Sequence, residues 1–151
     1  MLDARENEGR DTFQQVQAPI RVMIVDDHAI LRAGVREMLQ DEEDLQVVGE
    51  AGSAEETLQL LNGGTEVDVV ILDVTLPGQS GIDLLKTLRR DRPDLQILVL
   101  SMHPERSFAV RLMRAGANGY VPKMIVPEEL VRAVRAVGSG RRYITPIVAE
   151  L

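Results

Sequence analysis

Between Ile20 and Gly138, short runs of β-branched and aliphatic residues alternate with stretches of helical periodicity, and few folds accommodate that order. The runs fall at residues 20–25, 45–51, 67–72, 97–100 and 119–122. Strand and helix in strict alternation form βαβ units, whose strands lie parallel and whose helices cover both faces of the sheet. The pattern predicts an α/β fold with a doubly wound, five-stranded parallel sheet.

The intervening segments support this. Over residues 29–40, Leu31, Val35, Met38 and Leu39 fall at i, i+4, i+7 and i+8, which makes one buried stripe, while Arg32, Arg36 and Glu37 face solvent. Ser53, with Glu56 three positions on, forms a capping box for a helix that turns Leu58 and Leu61 inward and ends at Asn62-Gly63-Gly64. The run at 67–72 is almost uninterrupted Val, Ile and Leu, as a strand covered on both faces requires. The polar-flanked run at 45–51 suits an edge. Residues 75–81, rich in Pro and Gly, form a loop, and helices follow over 82–90, with Ile82, Leu85 and Leu88 inward, and 104–115. Pro122 places the last strand at the other edge. Pro127 opens a final helix that buries Leu130, Val134 and Val137.

Residues 1–19 are polar and aperiodic, a flexible leader, and 139–151 read as a linker-like tail, leaving 20–138 as one folded domain. A net charge of −7 argues against a phosphate-backbone grip by this segment. The sequence has no cysteine, hence no disulfide or thiolate metal site, and no apolar run approaches the roughly 20 residues of a membrane span. The expectation is a soluble, cytoplasmic domain that does not engage a membrane.

Chemistry concentrates where the apolar runs end. Asp26 and Asp27 close the first, Asp73 the third, Ser101 the fourth and Lys123 the fifth. In a parallel sheet these carboxyl ends converge on one crevice, the usual ligand site of open α/β folds. Taken singly, each residue has an ordinary reading: Asp27 and Ser101 as helix caps, Thr75 as a loop residue, Tyr120 as a half-buried sheet aromatic and Lys123 as a surface lysine. Their joint order points elsewhere. Three carboxylates in one crevice repel each other unless a cation offsets them, and Mg²⁺ favours one or two carboxylates plus phosphate oxygens. A magnesium-assisted phosphoryl reaction follows, with one carboxylate as nucleophile and with Lys123 and Ser101 to meet the phosphoryl oxygens.

The segments IVDDHAILRAGVREML, ILDVTLPGQSGIDLL, ILVLSMH and GANGYVPK resemble the signature segments of a response-regulator receiver domain of two-component signalling, over residues 20–138. The DDHAILRAGVREML and GRRYITPIVAEL stretches are similar to the NarL/FixJ branch, whose members carry a LuxR-type helix-turn-helix after the receiver. The resemblance implies a flavodoxin- or CheY-like strand order of 2-1-3-4-5, and Asp73 as acceptor of a phosphoryl group from a sensor histidine kinase. It further implies Mg²⁺ held by Asp27 and Asp73 directly, by Asp26 through water and by the backbone carbonyl of Thr75. Lys123 would pair with the phosphoryl oxygens, and Ser101 and Tyr120 would move together as the switch. The chain would catalyse only its own phosphorylation and dephosphorylation. Its partners would be the kinase, a second copy in a homodimer, and DNA only through a domain beyond this chain.

Four features depart from the family pattern: Leu76 replaces a commoner Met, Met124 stands where many receivers have a cis proline, Val126 replaces a capping Ser, and the helix-turn-helix is absent from the chain. The competing readings are a stand-alone receiver acting by protein contact and a flavodoxin-like cofactor binder, though no Walker or Rossmann glycine cradle is present.

Overall fold

The computed structural model describes residues 18–74, 81–102 and 106–144. Residues 1–17 of the leader, Thr75, Leu76 and His103 therefore lie outside the described residues. The elements run β1 (Ile20–Val25), α1 (Ala29–Gln40), β2 (Leu45–Ala51), α2 (Ala54–Asn62), β3 (Val69–Asp73), α3 (Gly81–Asp91), β4 (Gln96–Ser101), α4 (Arg106–Arg114), β5 (Gly119–Pro122), α5 (Pro127–Gly138) and β6 (Tyr143–Ile144). All pairings are parallel, in the order β2-β1-β3-β4-β5-β6.

Period-two alternation divides the core. Met23, Val25, Val70, Leu72, Ile97 and Val99 face α2, α3 and α4, where Leu61, Leu84, Leu85, Leu88 and Leu112 cover them. Val22, Ile24, Val69, Ile71, Leu98 and Leu100 face α1 and α5, against Val35, Leu39, Leu130, Val134 and Val137. Complete burial of each such aliphatic side chain contributes about 1.5–3 kcal/mol, so both layers are needed to offset chain entropy. Ser53 caps α2 as expected, accepting the Glu56 amide at 3.1 Å, while Glu56 accepts the Gly52 amide at 3.0 Å.

Several expectations need correction. Leu31 is 42% exposed, not part of the buried stripe, because it lies in the first turn of α1 and the core contacts begin one turn later at Val35. Arg32 is half-buried rather than solvated. The third strand starts at Val69, two residues later than its apolar run. Pro122 does not mark the sheet edge, since β6 adds a sixth strand beside Gly119 and Tyr120, which places part of the tail in the sheet. Val126 begins α5 with no side-chain cap, as its apolar side chain dictates, and no described peptide bond is cis.

Two glycines are required by geometry. A Cβ on Gly81 would sit 2.2 Å from the Val74 Cα, so α3 starts pressed against the end of the β3 segment. Gly116 has φ of +118°, which lets the turn after α4 offer its carbonyl to Arg89. Arg89 donates to the carbonyls of Gly116, Pro93 and Leu95 and to Asn118 Oδ1, tying α3 to the loop before β5.

At the amino edge of the sheet Arg21 forks onto Asp68 at 2.9 and 3.0 Å, and the hydrogen bonds from Arg21 hold the Asp68 carboxyl below its ordinary value of 3.8. A carboxyl lowered on folding contributes stability that is present above 3.8 and lost as pH falls through its folded value. The parent is therefore expected to lose more stability than Asp68→Asn between about pH 5 and pH 2, by a small margin because the pair is partly solvated. Urea melts across that range check this, and parallel curves for the two proteins would contradict it.

Candidate functional site

Register brings the polar strand ends together. Val25 lies beside Leu72, so the next residues along the two strands, Asp26 and Asp73, are neighbours. The chain leaves β1 toward β2 on one side while β3 pairs on the other, and the crevice opens at that reversal. Ser101 pairs with Pro122, and the Lys123 amide donates to the Ser101 carbonyl at 3.0 Å, which aims the lysine back across the sheet end.

Lys123 Nζ lies 2.8 Å from Asp73 Oδ2 and 3.5 Å from Asp26 Oδ2. Its side chain is only 5% exposed, so the surface-lysine reading is excluded. Burial alone would lower the ammonium, but Asp73 and then Asp26 outweigh it, and the group is held above its ordinary value. Asp73 is fully buried and Asp26 nearly so, whereas Asp27 keeps 28% of its side chain in solvent. Among the described residues, one buried lysine meets Asp73 and Asp26, with Asp27 in the same cluster, and Asp26 Oδ2 accepts no hydrogen bond. A second positive charge fits this donor set, since hard carboxylate oxygens sharing one pocket are what a divalent ion requires.

Ser101 and Tyr120 are both buried, at 1% and 3% exposure, so Tyr120 is a buried aromatic rather than a half-buried one. Burial pushes the Tyr120 hydroxyl up, and a hydrogen bond with the Ser101 side chain pulls it the other way, so the two groups are linked.

Two residues at the site went unmarked in the sequence reading. His28 Nδ1 lies 3.0 Å from Asp27 Oδ1 and 3.3 Å from Asp26 Oδ1, and its amide donates to Asp26 Oδ1 at 2.9 Å. Its place directly after the Asp pair was the available signal. Arg32 donates to the Asp26 carbonyl at 2.6 Å and pairs with Glu50 on β2, clamping the turn that carries both aspartates. No sequence period marks that contact.

A doubly wound parallel sheet whose carboxyl edge gathers acidic side chains around one buried lysine defines the receiver class of signalling domain. The chain belongs to the response regulator receiver domain family, which matches residues 22–135. It is 44% identical over 131 residues to the response regulator GacA of Pseudomonas aeruginosa, covering 87% of this chain and 61% of that protein. With the response regulator UvrY of Escherichia coli K12 the identity is 39%, over 87% and 60%. The chain thus spans about three-fifths of the length of these relatives. A LuxR-family two-component response regulator from Aurantimonas sp. SI85-9A1 superposes with a TM-score of 0.81 at 39% identity, covering 88% of this chain and 94% of that one. The isolated receiver domain of RcsB from Salmonella enterica serovar Typhimurium, in the presence of phosphomimetic BeF3-, gives 0.80 at 30%, over 87% and 97%. The chain is therefore a two-component receiver domain of the GacA, UvrY and NarL type, a signalling module rather than a flavodoxin-like cofactor binder.

Proposed function

We propose that Asp73 is the phosphoacceptor, and the observation that supports this is its fully buried carboxylate held 2.8 Å from the Lys123 ammonium at the mouth of the crevice. A carboxylate oxygen of Asp73 attacks phosphorus, and the bond to the donor's phosphohistidine nitrogen breaks with its electron pair leaving on the imidazole. Asp26, Asp27 and Asp73 would hold Mg²⁺, with the Thr75 carbonyl, outside the described residues, as a further ligand. When bound, that ion offsets the carboxylate charge and draws in phosphoryl oxygens. Lys123 stays in place and exchanges its Asp73 contact for one to a phosphoryl oxygen, which stabilises the charge that develops there.

Ser101 donates its hydroxyl to the new phosphoryl group, and Tyr120, bonded to Ser101, follows. The face formed by α4, β5 and α5 then settles into the arrangement that the phosphate bonds better. The phosphate can bias that equilibrium only by its differential contacts. The natural donor is a sensor histidine kinase in the cytoplasm, and self-association accompanies phosphorylation. The output is transcriptional control through a LuxR-type DNA-binding domain, a reading supported by the LuxR-family relative.

Phosphoryl uptake from acetyl phosphate should rise with Mg²⁺ and vanish on chelation. Uptake undiminished by a chelator would contradict the assignment of the acidic trio.

A further inference from the structure

Resting on the reading that Asp26, Asp27 and Asp73 hold a divalent ion, we infer that His28 supplies a fourth, nitrogen ligand, which lets the site take an imidazole-binding ion such as Zn²⁺ in place of Mg²⁺. One donor atom each from Asp26, Asp27, His28 and Asp73 lies within 4.8 Å of all the others. Donors held at about 2.0–2.2 Å by Zn²⁺ or Mg²⁺ are at most about 4.0–4.4 Å apart, so side-chain shifts on the order of a few tenths of an ångström let the four surround a single ion.

An independent observation points to a ligand. Asp26 Oδ2 is buried, its side chain 2% exposed, it accepts no hydrogen bond, and the charge that faces it is the Lys123 ammonium at 3.5 Å, which lies closer to Asp73 at 2.8 Å. A divalent ion satisfies it at the point where the other donors meet.

His28 is placed to join them. Its amide is pinned to Asp26 Oδ1, its Nδ1 faces the Asp26 and Asp27 carboxylates, and its side chain, 59% exposed, is free on the solvent side to close onto an ion. Mg²⁺ takes oxygen ligands and retains water, so it gains little from the ring. Zn²⁺ and Co²⁺ bind imidazole nitrogen readily and rank above the weaker-binding early divalent ions at mixed nitrogen and oxygen sites. The nitrogen donor therefore acts as a selectivity element, admitting ions that an all-oxygen trio holds less well.

The test uses the whole chain and its His28→Ala variant, with Co²⁺ as the spectroscopic probe and calorimetric titration of Zn²⁺ and Mg²⁺. The parent is expected to show a paramagnetically shifted imidazole N–H resonance with Co²⁺, absent in the variant. The ratio of Zn²⁺ to Mg²⁺ affinity should fall about tenfold or more in the variant, with an unchanged circular dichroism spectrum as proof of folding. A shifted resonance that persists in His28→Ala assigns the ligand to His103, and overturns the inference, as does an unchanged affinity ratio. If the parent binds Mg²⁺ and takes up phosphate yet lacks the resonance, only the role of His28 fails. If it binds no divalent ion, the reading of the site fails with it.

Discussion

Lys123→Met is expected to lower the unfolding free energy of the ion-free domain by about 3 kcal/mol, read as an earlier urea midpoint with an unchanged slope. The methylene stem and its packing survive in methionine, so the loss isolates the charge. Lys123 is the described cation that pairs with Asp73 and Asp26, both almost fully buried, and its removal leaves two carboxylates facing each other without compensation. The estimate sits at the low end for a broken buried pair because the cluster opens to solvent at Asp27. Mg²⁺ should restore more stability to the variant than to the parent, since an ion that binds only the folded state stabilises by RT ln(1 + [L]/Kd), and relieved repulsion lowers Kd. Equal stability of the two proteins in chelator would show that the ammonium does not offset the carboxylates.

Gly81→Ala is expected to cost about 3 kcal/mol or more and to impair phosphoryl uptake, although residue 81 carries no chemistry. The added Cβ would meet the Cα, carbonyl carbon and carbonyl oxygen of Val74 at 2.2–2.6 Å. Backbone on both sides of that contact cannot rotate away as a side chain can. Either α3 withdraws, opening the layer filled by Leu84, Leu85 and Leu88, or Val74 shifts and carries the adjoining Asp73 with it. Thermal melts and uptake from acetyl phosphate measure the two consequences. Parent-like values in both would mean that the close approach is not a constraint.

The legibility of this fold in its sequence follows from what each element must satisfy. Strands β1, β3, β4 and β5 are largely buried on both faces, so they appear as apolar runs, and the residues that end them must be polar because the crevice is. That is why Asp26, Asp27, Asp73, Ser101 and Lys123 could be located from order alone, and why the structure brings Asp26, Asp73 and Lys123 into direct contact. Helical periodicity gave the direction of each buried stripe but not how far the sheet extends beneath it, which left Leu31 misplaced. The strand β6 has two residues, too few for any period to register, and its pairing depends on where the chain after α5 returns. His28 escaped notice because its significance is spatial: a ring beside two carboxylates that only the turn after β1 creates.

The central claim is that Asp73 is the residue that takes the phosphoryl group, and intact-mass measurement of the parent and Asp73→Asn after incubation with acetyl phosphate and Mg²⁺ tests it most directly. The parent should gain the mass of one phosphoryl group and the variant none. An equal gain in the variant, or no gain in the parent, would contradict it.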